Sequence, residues 1–108
     1  MATRNPAVRA FVYVLGWADQ TRRLTYVGWT NDVARRLAQH NAGTGARSTR
    51  GRRWTLLHTE ELRSRGEAMS REWHLKRDRN LRKRLHQASG MMEDRPWSRM
   101  AMVRPRAG

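Results

Sequence analysis

FVYVLGWADQTRRLTYVG, running from Phe11 to Gly28, is the stretch that decides the fold of this chain. Two apolar runs, Phe11 to Trp17 and Leu24 to Trp29, flank the polar segment Ala18-Asp19-Gln20-Thr21-Arg22, a pattern that predicts a β-hairpin. The first run is apolar or aromatic from Ala10 to Leu15, as expected of a strand covered on both faces and therefore central in its sheet. Each run carries one tyrosine, Tyr13 and Tyr26. A hairpin brings the two phenols near each other, and a phenol is a hydrogen-bonding acid placed where valine would pack as well. The hairpin is therefore a candidate site as well as part of a core.

Beyond Gly28, Thr30 or Asn31 can cap a helix whose positive first turn suits Asp32, and the helix is expected over residues 32–41. At about 100° per residue its apolar stripe is Val33, Ala34, Leu37 and Ala38, with Arg36 and His40 on the flank and Arg35 in solvent. Residues 44–53, TGARSTRGRR, form a loop whose guanidinium and hydroxyl groups suit phosphate, or which is simply solvated. A third strand is expected over Trp54 to Thr59, followed by the acidic pair Glu60 and Glu61. Ser64 and Glu67 fit a capping box opening a helix to about Arg77, with Ala68, Met69, Trp73 and Leu75 as its apolar stripe. Glu72 falls in the middle of that stripe, where a carboxylate needs an ion pair, a hydrogen bond or a metal, and Lys76 one turn on is a ready ion-pair partner. Asp78 caps a final helix, Arg79 to Ala88, which Ser89-Gly90 stops. The expected organisation is a loose arm over residues 1–9, one domain over 10–88, and a loosely docked or disordered tail over 89–108.

The chain has 108 residues, room for one modest core, and no cysteine, which removes disulfides and thiolate zinc sites. No apolar run approaches the roughly 20 residues of a membrane span, so an intracellular, cytoplasmic protein without a membrane partner is expected. The net charge is +14, from 23 basic and 9 acidic residues, and only Lys76 and Lys83 are lysines. Such a surplus attracts polyanions, and arginine's planar fork suits phosphate oxygens. Nucleic acid is the expected partner.

These segments together resemble the GIY-YIG nuclease domain in its small stand-alone form. Phe11-Val12-Tyr13 stands where the family has Gly-Ile-Tyr, and Tyr26-Val27-Gly28 where it has Tyr-Ile-Gly. RRLAQHN, with Arg36, His40 and Asn41, is similar to the family's helix motif, TRGRRW with Thr49 to its following loop, and AMSREW with Glu72 to the segment supplying the metal-binding glutamate. The resemblance covers residues 10–88. It implies an α+β fold, a small three-stranded antiparallel sheet flanked by helices, in agreement with the ββαβαα order read from the residues. It also implies that Tyr13, Tyr26, Arg36 and His40 surround a scissile phosphate, and that Glu72 holds one divalent cation, Mg²⁺ or Mn²⁺. Gly28 and Asn41 would be structural members of the motifs, and Arg47, Thr49, Arg50, Arg52, Arg53 and Lys76 would contact nucleic acid. Two positions depart from the pattern: Phe11 replaces the first glycine, and Trp29 stands where some relatives have lysine.

The expected function is a metal-dependent DNA endonuclease of little sequence preference, working as a monomer in repair or processing, with structure selectivity, RNA and a protein partner left open. The alternative is a non-catalytic nucleic-acid-binding module on the same fold. A third reading is a small basic accessory protein for acidic partners or a ribosomal particle.

Overall fold

Alternating faces explain the sheet before any helix is added. Strand β1, Ala10–Ala18, pairs antiparallel with β2, Arg23–Thr30, and on its other edge with β3, Thr55–Leu62, giving the order β2-β1-β3. The computed structural model describes residues 9–90 of the protein. The arm and tail expected at the two ends fall, apart from Arg9, Ser89 and Gly90, outside the described residues. The hairpin turn is held by Asp19, whose carboxylate accepts from the backbone N–H groups of Thr21 and Arg22 at 2.8 and 2.9 Å. Those bonds lower the Asp19 pKa below the usual carboxylate range.

Helix α1, Val33–Ala42, covers one face of the sheet; α2, Arg65–Arg77, and α3, Arg79–Ala88, cover the other. Ala10, Val12, Val14 and Val27 pack with Ala68 and Leu75 of α2 and with Leu81 and Leu85 of α3. Tyr13, Leu15 and Trp54 pack on the opposite side with Tyr26, Val33 and Leu37. A strand buried on both sides needs apolar residues at successive positions, which is why β1 does not alternate. The α+β fold with a three-stranded antiparallel sheet is thus the one expected.

Four local readings change. Asp32, not Thr30 or Asn31, is the N-cap of α1, its side chain accepting from the Arg35 N–H at 3.0 Å. Ala34 and Ala38 of the expected stripe are exposed; the inward face is Val33, Arg36, Leu37 and His40. Strand β3 runs on through Glu60 and Glu61 rather than ending before them, because both carboxylates are neutralised. Glu60 accepts two bonds from Arg71, at 2.8 and 3.0 Å, and faces His58 at 2.8 Å, which holds its pKa down to about 2, the Arg71 bond being the largest cause. Glu61 takes two bonds from Arg9 at 3.0 and 3.1 Å. On α2, Met69 and Trp73 are each 52% exposed, and Ala68, Arg71, Glu72 and Leu75 face inward instead.

The capping box at the start of α2 forms as expected on the serine side, Ser64 Oγ accepting from the Glu67 N–H at 3.1 Å. Glu67 in turn accepts from the Arg63 N–H at 3.0 Å. Asp78 closes α2 and caps α3, accepting from the Leu81 N–H at 3.0 Å.

Candidate active site

Register places the phenols. Tyr13 lies opposite Gly28 and Leu15 opposite Tyr26, so both tyrosines project from the same face of adjacent strands as diagonal neighbours, their ring centroids 6.3 Å apart. The glycine is what allows this. A Cβ at Gly28 would stand 2.5 Å from the Tyr13 hydroxyl and 2.7 Å from its Cζ, so the Tyr13 ring occupies the space over the neighbouring strand that any other residue would fill.

Above the phenols lies His40, in the last turn of α1 and fully buried. Its Nε2 is 2.8 Å from the Tyr13 hydroxyl and its Nδ1 is 2.8 Å from Thr49 Oγ1. The hydroxyl proton of Thr49 is already committed to the Ala46 carbonyl at 2.8 Å. Thr49 must therefore accept from Nδ1–H, which leaves Nε2 bare and makes Tyr13 O–H the donor to it. The result is a directed chain, Tyr13 O–H to His40, His40 N–H to Thr49, Thr49 O–H to the backbone. Tyr26 packs against the same imidazole, with centroids 4.9 Å apart, and Trp54 closes the far side 6.5 Å from Tyr26.

The loop after α1 is folded inward onto this chain. Gly43, at φ 83°, ends α1 in the left-handed region. Gly45 then passes so close to His40 that a Cβ there would be 2.7 Å from Nδ1. A single 3-10 turn, Arg47–Thr49, presents the Thr49 hydroxyl, and the Trp54 indole N–H donates to the Thr49 carbonyl at 2.9 Å. Asn41 grips both backbone groups of Trp54, donating to its carbonyl at 3.1 Å and accepting from its N–H at 2.5 Å. Thr49, expected among the phosphate donors, is thus buried and bonded internally. Arg47, Arg50 and Arg53 remain exposed, while Arg52 lies with its guanidinium 4.7 Å from the Trp17 ring centroid. Nothing in the sequence alone marked Gly45 or the His40–Thr49 bond.

Arg36 and Glu72 act on the Tyr13 phenol through charge. Burial pushes the Tyr13 pKa up to about 12; Arg36 opposes this as a donor and as a cation, while Tyr26 and Glu72 add to it. Tyr13 is therefore protonated at neutral pH. The His40 pKa is lowered, by burial first and then by Arg36. Gln39 accepts from Arg36 at 2.9 Å and steadies the guanidinium at an open cleft of about 800 Å³, lined also by Arg9, Trp29, Arg35 and Arg65. The Arg65 guanidinium sits 5.6 Å from the Trp29 ring centroid, so a cation stands beside the position where Trp29 replaces lysine. Glu72, on the inward side of α2, has a side chain 22% exposed and faces Lys76 Nζ at 3.5 Å.

These pKa directions carry a stability prediction. Below about pH 6.5, the ordinary histidine value, the unfolded chain binds a proton that folded His40 refuses, so stability falls as pH drops through that value toward the lower folded one. Urea unfolding should show this loss in the native chain. His40→Leu should be about 1–3 kcal/mol less stable at neutral pH, because it strands the Tyr13 hydroxyl, and should have a flatter acid dependence. An equally steep acid loss in both proteins would remove His40 as the cause.

The sequence profile of the GIY-YIG catalytic domain matches residues 9–86. The chain belongs to the GIY-YIG family. Membership in it places the protein among nuclease domains in general. A UPF0213 protein of Halobacterium salinarum is 53% identical over 66 residues, 60% of this chain and 82% of that one. A UPF0213 protein of Clostridium perfringens is 36% identical over 86 residues, 78% and 89% of the two chains. One of Streptococcus pneumoniae is 42% identical over 76 residues, 69% and 74%. These names state no substrate or reaction. No solved structure matches the chain at a significant level. Among the described residues, no helix of this GIY-YIG protein is long and apolar enough to cross a membrane.

Proposed function

We propose that this GIY-YIG protein is a divalent-metal-dependent endonuclease that hydrolyses DNA phosphodiester bonds with little sequence preference. The observation that carries the reading is the convergence of Tyr13, Tyr26 and His40 on one sheet face beside Arg36, at the edge of an arginine-lined cleft. Hydrolysis needs charge relief at the phosphoryl oxygens, an oriented water and a destination for its proton. Arg36 supplies the first, as a planar donor pair aimed at the developing oxyanion. Tyr13 is a positioning group: its proton is held by His40, and its burial keeps it neutral. Tyr26, only partly buried, meets the water and relays its proton, passing its own phenolic proton outward to solvent as it accepts the water's.

A cation site can be tested on the donor set. Among the described residues, no group of three or more His, Asp or Glu side chains could hold a metal, so the protein would supply the single carboxylate of Glu72. That fits an ion such as Mg²⁺, which binds through one or two carboxylates and keeps water and phosphate oxygens for its other positions. Glu72 would have to leave Lys76 to take it. When bound, the ion would neutralise charge on the phosphate and on the leaving 3′-oxygen.

The test is incubation of the purified chain with plasmid and with branched DNA in Mg²⁺ or Mn²⁺. Nicked or resolved product is expected, abolished by chelation and lowered about 10²–10³-fold in Arg36→Ala, the range for loss of one oxyanion donor. Salt-sensitive binding with no cleavage in any metal would instead establish the non-catalytic binding module.

A further inference from the structure

On the face of the sheet opposite the phenols, the structure holds a second basic feature. Arg23 and Thr25 of β2 alternate with Leu24 and Tyr26, so they point toward α2 and α3, and there they line a cleft of about 540 Å³ with Arg77, Arg79, Lys83 and His86. Arg82 lines it too, donating through Nε to Thr25 Oγ1 at 3.0 Å and through Nη1 to the Leu75 and Lys76 carbonyls. His86, buried at the cleft, donates through one ring nitrogen to the Trp17 carbonyl at 3.0 Å, and its Nδ1 has no partner among the described residues. One carboxylate, Asp78, is present, and it caps α3.

Arg77 joins this cleft to an exposed aromatic. Its guanidinium lies 3.6 Å from the Trp73 ring centroid, His74 packs edge-on at 5.0 Å, and Trp73 is still 52% exposed. Met69, equally exposed, stands one turn back on the same stripe of α2. An indole left in water costs free energy that a core position would have recovered. A cationic groove continuous with an exposed aromatic is how proteins hold a single strand: phosphates track the cations, and an unpaired base stacks on the ring.

We propose that the Trp73–Arg77 stripe and the cleft beneath α3 form a binding site for a single-stranded nucleic-acid segment, with a base on Trp73 and phosphates at Arg23, Arg79 and Lys83. Trp73 adjoins Glu72 in sequence, so a strand held here runs along the helix that carries the carboxylate of the candidate active site. As a site for a substrate arm it rests on the nuclease reading; as a binding site it does not. A protein partner for the Met69–Trp73 stripe is disfavoured by the cations around it, which match a polyanion.

The experiment measures binding of fluorescein-labelled oligothymidylate and of a blunt duplex to the full chain in EDTA, with circular dichroism to confirm folding. Trp73→Ala should weaken oligothymidylate binding about 5- to 160-fold, the range for losing one stacked base, and leave the duplex unchanged. Trp73→Phe should keep most of the affinity, which a purely structural tryptophan would not predict. Arg79→Gln with Lys83→Gln should reduce the slope of log affinity against log salt by about 1.4. Equal oligothymidylate affinity in Trp73→Ala and the native chain overturns the proposal. So does a Trp73→Ala effect confined to self-association in sedimentation. A Trp73 effect on binding without cleavage by the native chain would sink the nuclease reading alone; cleavage without a Trp73 effect would sink this one alone.

Discussion

Glu72→Ala should lower the rate of DNA cleavage about 10²–10⁴-fold at saturating Mg²⁺, with nucleic-acid binding retained or slightly tightened. The loss corresponds to several kcal/mol of transition-state charge relief, each 1.36 kcal/mol being about tenfold in rate. Binding does not share the loss, because the substitution removes one negative charge from a chain of net charge +14 and frees Lys76 from its 3.5 Å ion pair. Stability should change little, since that pair is half in solvent on the Lys76 side and exposed i,i+4 pairs contribute only about 0.3–0.5 kcal/mol. Equal cleavage by the variant and the native chain would remove Glu72 from the reaction. Cleavage lost together with folding would point to a structural role, and Glu72→Gln, which keeps the shape, separates the two.

Gly28→Ala should be the most damaging small substitution in the sheet. The new methyl would sit 2.5 Å from the Tyr13 hydroxyl, with the edge of Tyr26 at 3.1 Å, so neither ring has somewhere to go without breaking a contact. Tyr13 must swing away from His40, leaving a buried imidazole nitrogen and a phenol unpaired. Overpacking and a stranded hydrogen bond together predict a loss of about 2–4 kcal/mol by chemical denaturation. Cleavage should fall at least about 10²-fold, since Tyr13, Tyr26 and His40 are displaced together. Gly66→Ala is the control: it lies in the first turn of α2, where a Cβ meets only Ser64 Oγ at 3.8 Å, and should gain about 0.4–1 kcal/mol. A Gly28→Ala protein as stable and active as the native chain would show that the phenol is not pinned against the strand.

The sheet was legible because the middle of β1 obeys one rule: from Val12 to Gly16 every residue is buried, so each is apolar or a tyrosine. The helices were legible in extent and caps but not in rotation. On α1 the alanines at 34 and 38 face water while Arg36 and His40 face in, and on α2 Met69 and Trp73 face water while Arg71 and Glu72 face in. Apolar periodicity fails in the same direction both times, because a site that handles charge must place polar groups on the covered side of its helices and satisfy them there. Arg71 is satisfied by Glu60 on a strand 11 residues earlier, and His40 by Thr49 across a loop. Neither partnership has a spacing that sequence could reveal, because each depends on how the loop or strand returns. Periodicity did set Arg36 and His40 on the flank of α1 and Glu72 within the stripe of α2; the resemblance to GIY-YIG domains added the roles it implies for them.

The sheet's central strand also sets when this protein could act. Tyr13, Tyr26, Arg36 and His40 all lie in the first half of the chain, but α2, which carries Glu72, also covers Val12, Val14 and Val27 on the far side of β1 and β2. A growing or truncated chain that ends before α2 lacks the carboxylate and leaves those valines bare, so the step that completes the core is also the step that completes the proposed site. Under the proposed nuclease reading, partly made or partly unfolded copies would lack hydrolytic competence, which is reserved for the finished domain.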